Sequence, residues 1–340
     1  MSPTEQFLLF SAFKIVGVIA ILMPMIAYSV VAERRISAFI QDRIGPNRVG
    51  PFGLLQPLAD GIKFILKEDF TPAHVRKAYF WLAPAITMVP AFLTIAVIPF
   101  GSMIGEQKMV IADLNVGILY TFGIVSLGVY GIVLAGYASN SKYPFLGGIR
   151  SSAQMISYEI AMGLSVIPVF LMVGDLNLTK VVEYQSGGAW LIFQQPISFF
   201  IFLVAAFAET NRLPFDMPES ETELVGGYHT EYSSMKFALF FLGEYANMIA
   251  ASAMMVTLFL GGWSLPFFGL DHAAGSVGVG ILHILIFLGK VGFFLVGFIW
   301  VRWMWPRFRY DQLMHLGWER LLPAGLVNIF LYSVWLWLRS

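Results

Sequence analysis

The chain has 340 residues, 58% of them hydrophobic and only 12% charged, with a mean hydropathy of +0.73 and no net charge. A soluble domain is about 45–50% apolar, so an excess of this size laid out in long blocks describes a polytopic membrane protein. The neutral balance leaves no nucleic-acid footprint, and the absence of cysteine excludes disulfides and thiolate-held iron–sulfur clusters within this chain.

A helix needs about 20 apolar residues to cross the hydrocarbon core. Eight runs qualify in chain order: Phe7–Ala32, Phe80–Phe100, Val116–Ala138, Gln154–Val173, Phe193–Ala208, Phe237–Gly262, Gly280–Val301 and Leu322–Leu338. The first is too long for the apolar region of a cleaved signal and reads as a full span. The fifth is the shortest and can extend to Arg212. Between the first two runs lies a loop at 33–79 that contains a second kind of element. In Phe52–Glu68, residues Leu54, Leu55, Leu58, Ile62, Ile65 and Leu66 recur at helical spacing, which predicts an amphipathic helix lying in the membrane interface. Asp60 and Lys63 are three apart and share a face of it. The connections at 101–115 and 174–190 carry little chemistry, and no internal repeat of the transporter kind is visible.

Cations set the orientation. The loops after spans one, three, five and seven hold nearly all of the arginine and lysine, while the opposite loops and tails hold only Lys108, Lys180 and Arg339. The cation-rich loops therefore face the cytoplasm or its equivalent, and both termini lie outside. One inner loop is instead acidic. Ala208–Tyr232, AETNRLPFDMPESETELVGGYHTEY, sets Glu209, Asp216, Glu219, Glu221, Glu223 and Glu231 against a single cation, Arg212. Carboxylates at a membrane boundary handle protons or cations, or bind a partner. Pro214, Pro218, Gly226 and Gly227 give the segment shape, which a plain solvated loop would not need. If the stretch is extended, Glu219, Glu221 and Glu223 share one face about 7 Å apart and titrate as a cluster.

Three carboxylates enter the apolar runs. Glu159 stands about five residues into the fourth, Glu209 closes the fifth, and Glu244 stands about eight residues into the sixth, roughly 8–12 Å inside the helix starts for the outer two. Each charge at mid-membrane costs about 2.5–3.5 kcal/mol, so three on the inner side argue for a shared polar cavity. Tyr158 and Tyr245 flank two of them and can extend a hydrogen-bonded chain. Lys14 and Lys290 are further ionisable groups within runs. Of the histidines only His283 lies in an apolar run, whereas haem in a bundle takes two facing ligands. No phosphate-binding glycine motif is present.

Four motifs carry a resemblance that covers nearly the whole chain: AERRISAFIQDRIGPNRVGPFGLLQPLADGIK (Ala32–Lys63), AQMISYE (Ala153–Glu159), the acidic segment itself, and LGEYANM (Leu242–Met248). On these the chain resembles the quinone-proximal membrane subunit family of respiratory complex I, the H subunit of bacteria and subunit 1 of mitochondria. The resemblance implies an eight-span core that forms the entrance and much of the tunnel for a ubiquinone-like substrate, with no iron–sulfur, flavin or haem group in this chain. It implies that Glu33, Arg34, Arg35, Asp60, Lys63, Arg212, Tyr228 and Arg302 belong to the quinone tunnel. It further implies that Glu159, Glu209, Glu244, Asp216, Glu219, Glu221 and Glu223 belong to the coupling loop and proton path. Expected partners are the hydrophilic iron–sulfur and quinone-site subunits, small and antiporter-like membrane subunits, and lipids. The expected location is the bacterial inner membrane, or the mitochondrial inner membrane for an organellar chain. The rival readings are a homologous subunit of a membrane-bound hydrogenase-type complex, a stand-alone proton or cation transporter, and a passive anchor.

Overall fold

A computed structural model of the chain describes residues 3–105, 107–217, 224–266 and 269–339. It is an all-α polytopic membrane protein. Helix α1 runs Pro3–Ile40, α2 Gln56–Leu66, α3 Lys77–Thr94, α4 Gly117–Ala138, α5 Lys142–Val173, α6 Leu178–Ser186, α7 Leu191–Gln194, α8 Pro196–Glu209, α9 Ser234–Phe259, α10 Val277–Met304, α11 Tyr310–His315 and α12 Leu322–Arg339. A two-stranded hairpin, Met103–Ile104 with Gln107–Lys108, joins α3 to α4. A π-helical turn at Leu316–Leu321 fuses α11 to α12.

Seven helices among the described residues are long and apolar enough to span, and α8 is a shorter apolar helix beside them. At 14 residues α8 is about 21 Å long, short of the roughly 30 Å hydrocarbon core. Hydropathy alone starts this span at Phe193 and allows it to reach Arg212. The structure instead breaks the chain at Gln195, places α7 before it, and ends the helix at Glu209. Pro196 lacks the N–H that would continue a helix through this point.

Other ends differ in the opposite direction. Helix α1 continues through Glu33, Arg34 and Arg35 to Ile40, so the stretch expected as loop begins as helix. Helix α5 begins at Lys142, twelve residues before the apolar run, which places Glu159 near its middle. Charged residues tolerate a helix well, so hydropathy stops at the polar boundary while backbone hydrogen bonding does not. Helix α2 appears as expected, and Leu58, Ile62, Ile65 and Leu66 are exposed on it. An amphipathic helix without a covered apolar face is suited to the interface.

Two cores hold the bundle. The larger joins α1, α5, α8, α9 and α10 through residues such as Ile26, Val166, Phe202, Met255 and Phe298. The smaller packs Phe80, Ile132, Tyr228, Tyr232 and Phe240, with Phe80 stacked on Tyr232 at 4.0 Å between ring centroids. Glycines let the helices touch: a Cβ at Gly131 of α4 would stand 2.3 Å from Thr87 Oγ1 of α3. At the far end of α9, the chain turns through Gly261 and Gly262 with positive φ. Lys290 of α10 donates there to the carbonyls of Leu260, Gly262 and Ser264 at 2.7–2.9 Å, with its ammonium 4.5 Å from the Trp190 ring centroid. The mid-span lysine is thus a clamp on a helix terminus, satisfied by oxygens that the turn leaves free.

Candidate functional site

The site is built where α1 and α10 end and α9 passes between them. Because α1 stays helical past its apolar run, Glu33 is held on a rigid element. Arg302 occupies the last turn of α10, where a cation meets the negative end of the helix dipole. Arg212 lies three residues past the end of α8, in a loop that must be fixed for the side chain to be useful. Buried Gln154 of α5 does this: its Nε2 donates to Ala208 O at 2.7 Å and to Phe215 O at 2.8 Å, pinning both sides of the turn. Thr210 Oγ1 donates back to Ala206 O at 3.0 Å and closes the helix end.

These elements bring Glu33, Arg212, Glu244, Tyr245 and Arg302 together. Arg212 Nε stands 2.7 Å from Glu244 Oε1 and its Nη1 3.5 Å from Glu33 Oε2. Tyr245 Oη donates to the same Glu33 oxygen at 2.6 Å, and Arg302 Nη1 pairs with the other. The guanidinium of Arg212 also lies over the Tyr245 ring at 4.3 Å. The side chains of Arg212, Glu33 and Glu244 are 5%, 11% and 13% exposed. Burial works against the Arg212 charge, but Glu244, Tyr245 and Glu33 outweigh it and hold its basicity above the ordinary guanidinium value. Two carboxylates thus face two guanidiniums, and the cluster is balanced in charge.

A second pair continues from the cluster into the loop. Asp216, buried, accepts from Arg307 Nη2 at 3.2 Å. Phe308 N donates to Pro214 O at 3.1 Å, and the rings of Phe215 and Phe308 stack at 5.4 Å. The segment after α10 therefore lies on the start of the acidic loop.

Glu209 and Glu159 form a separate group. Glu209 is buried and lines a cavity of about 40 Å³ with Thr94, Thr121, Thr210 and Asn247. Asn247 is three residues from Glu244 on α9, so this cavity lies one turn from the ion cluster. The rest of its lining is apolar, including Phe122, Val125, Met155, Met162 and Phe202. Glu159 accepts a hydrogen bond from Ser126 Oγ. Among the described residues no cation stands within ion-pair distance of either acid, whereas Glu33 and Glu244 are both paired.

The remaining expected residues divide. Arg34 Nη1 pairs with Asp60 Oδ2 at 2.8 Å, and Gln56 supports Asp60 at 3.0 Å, which ties α1 to α2. Arg35 donates to Phe52 O on the exposed side of the same junction. Lys63 is exposed and leans on Phe64. Tyr228 packs in the smaller core against Phe240, edge-on at 5.4 Å, rather than in the ion cluster. Glu219, Glu221 and Glu223 lie outside the described residues.

Sequence reasoning misses Arg307, Ser126, Gln154 and Asn247. Arg307 enters it only through sidedness. Its pairing with Asp216 spans 91 positions and leaves no periodic trace. Gln154 carries a local signal, a polar amide at the start of an apolar run, that could have drawn attention.

An all-α bundle with paired charges buried at one end and, among the described residues, two further acids without an ion-pair partner defines a polytopic membrane protein with ionisable groups at depth. A family model described as NADH dehydrogenase matches residues 13–333. The chain is 50% identical to the NADH-quinone oxidoreductase H 1 subunit of Cytophaga hutchinsonii, over 97% of this chain and 98% of that protein. It is 49% identical to the H 1 subunit of Geobacter metallireducens over the full length of both, and 51% identical to subunit 8 of the Rhodothermus marinus enzyme over 95% of each. The chain belongs to the NADH dehydrogenase family of membrane subunits, the one that supplies the H subunit of NADH-quinone oxidoreductase. These names agree with the complex I reading and lend nothing to the hydrogenase-type or transporter readings.

Proposed function

We propose that the Glu33–Arg212–Glu244 cluster couples quinone reduction to proton movement in a proton-translocating NADH:quinone oxidoreductase of the inner membrane. The observation that carries this is Arg212, a loop residue whose one guanidinium reaches carboxylates on two different spans. A change in the charge or position of the loop at Asp216 bears directly on how Arg212 divides itself between Glu33 and Glu244. Release of Glu244 from Arg212 leaves a buried acid without its ion-pair partner, which takes up a proton, while Glu33 keeps its pair with Arg302. Asn247 and the Glu209 cavity lie one turn further along α9, and Glu159 follows. Protonation then passes from the cluster to Glu209 and Glu159, and on to antiporter-like neighbours.

In this reading quinone is the substrate and approaches over α2 and the Arg34–Asp60 junction. Its redox change alters the loop through the hydrophilic iron–sulfur and quinone-site subunits that cover it. Arg35, Lys63, Tyr228 and Arg302 shape or border the path, and Glu219, Glu221 and Glu223 extend the loop's charge. Coupling requires that oxidised and reduced quinone interact differently with the loop.

The test is Glu209→Gln combined with Glu244→Gln in the intact assembly. Proton translocation per electron should fall while NADH oxidation continues. Normal assembly, normal quinone reductase turnover and unchanged pumping would sink the relay.

A further inference from the structure

None of the 11 residues of α2 is buried within the chain. Leu58, Ile62, Ile65 and Leu66 are exposed on it, so packing on a core does not fix where it lies. Discrete contacts at its two ends do. At the near end they reach α1: Arg34 pairs with Asp60, and Tyr28 Oη donates to Leu54 O at 3.3 Å. At the far end they reach the first turn of α9. Ser234 Oγ lies 2.9 Å from both Phe64 O and Lys67 O, and its one proton serves one of them at a time. Phe64 O belongs to the last turn of α2, whose carbonyls a helix leaves without internal partners. Ser233 Oγ accepts from Phe70 N at 3.3 Å. Lys236 Nζ stands 2.9 Å from Asp69 Oδ1 and 2.7 Å from Thr71 Oγ1, with the Trp81 ring centroid at 4.3 Å.

We propose that Ser234 and Lys236 are positioning residues that hook the end of α2 to α9 and so fix the rim over which quinone approaches; the quinone part rests on the function proposed above. Three observations carry it. Ser234 is 2% exposed and has a φ of +52°, a left-handed conformation that residues with a Cβ rarely adopt. Such a conformation persists where the surroundings over-determine it, and here it accompanies a hydroxyl aimed at the α2 terminus. The second is Lys236, a buried ammonium that needs polar partners, and both of its oxygen partners lie in the segment that follows α2. The third is continuity. Phe237 meets Phe64 of α2 at 6.4 Å and His229 of the acidic loop at 5.2 Å between ring centroids. Glu244 stands ten residues beyond Ser234, about 15 Å along α9, and Arg34 adjoins Glu33 on α1. Helix α2 is thereby tied to both helices whose carboxylates meet Arg212.

The test uses Ser234→Gly and Lys236→Met in the whole oxidoreductase assembly. Glycine accepts the positive φ, so the first variant removes the hydroxyl without adding backbone strain. Amide hydrogen exchange in peptides covering 56–71 should rise about five-fold in each variant, as expected for one lost hydrogen bond at a local opening. KM for a short-tailed, water-soluble quinone should rise about five-fold with kcat little changed, the pattern of a lost seat rather than a lost chemical step. Lys236→Arg keeps a cation for Asp69 and should restore most of the KM. If Lys236→Met does not assemble, Ser234→Gly decides. Unchanged exchange at 56–71 would overturn the hook. A lower kcat with unchanged KM would reduce both residues to a structural role and overturn the proposal. Faster exchange with unchanged KM would overturn the positioning role as well. Ile62→Asp on the exposed face of α2 then separates the two failures, because it should still raise KM if quinone crosses there.

Discussion

Arg212 Nε lies 2.7 Å from Glu244 Oε1, although Arg212 belongs to a loop and Glu244 to the middle of a membrane helix. The contact crosses from the acidic segment into the span. A loop cation that neutralises a span carboxylate makes the loop's position a determinant of the charge inside the bilayer. That relationship, with Gln154 fixing the loop that carries Arg212, sets what substitutions here should do.

Arg212→Ala leaves Glu33 and Glu244 buried without their shared partner. Removing one member of a buried pair costs about 3–5 kcal/mol. The assembly should lose thermal stability and quinone reductase activity together. Arg212→Lys keeps the charge and loses the forked geometry, so it should restore stability more than activity. Melting of the purified assembly and NADH:quinone turnover check both.

Asp216 and Arg307 should behave as one unit. Asp216→Asn and Arg307→Ala each break the contact between the loop and the segment after α10. The double variant should be no worse than the more severe single one, with a coupling energy of about 0.5–3 kcal/mol. A double-mutant cycle on quinone reductase activity measures it. Strict additivity would mean that the two residues act separately.

Lys290→Met should lower stability and leave turnover per intact assembly unchanged. The variant strands the carbonyls of Leu260, Gly262 and Ser264, and each buried polar group left unsatisfied costs about 1–3 kcal/mol. A change in the proton-to-electron ratio would instead assign Lys290 to the proton path.

His229 gives the loop an acid-sensitive contact. It lies in the turn at Gly227–His229, and burial pushes its pKa down to about 4 from 6.5. The unfolded segment binds a proton in the window between these values and the folded one does not, so stability rises with pH across it. Stability is fully present above about pH 6.5, declines as pH falls toward 4, and levels off below. Limited proteolysis within 224–235 should accelerate across that window, and His229→Leu should flatten the dependence.

How far the chain itself discloses these features differs by scale. The apolar runs at Val116–Ala138 and Phe237–Gly262 agree closely with α4 and α9, because a span is a local requirement on consecutive residues. The amphipathic pattern at 54–66 yields α2 for the same reason. Hydropathy cuts the first and fourth spans short because it ends where Glu33 and Arg150 begin, while helical hydrogen bonding runs on through them. The acids Glu159, Glu209 and Glu244 stand out as costly residues in apolar surroundings, and the motifs around them identify the family.

Which acids are paired is not legible in this way. Glu33 accepts from Arg212 across 179 positions and from Arg302 across 269, and no periodicity registers such distances. From its sequence alone, this protein is a membrane subunit of its family with carboxylates placed within its apolar runs. Only the packing of α1, α9 and α10 decides that Glu33 and Glu244 are neutralised by guanidiniums while Glu209 and Glu159 are not. Composition and spacing record the cost of each buried charge, but the compensating charge arrives from whichever helix end the fold brings alongside.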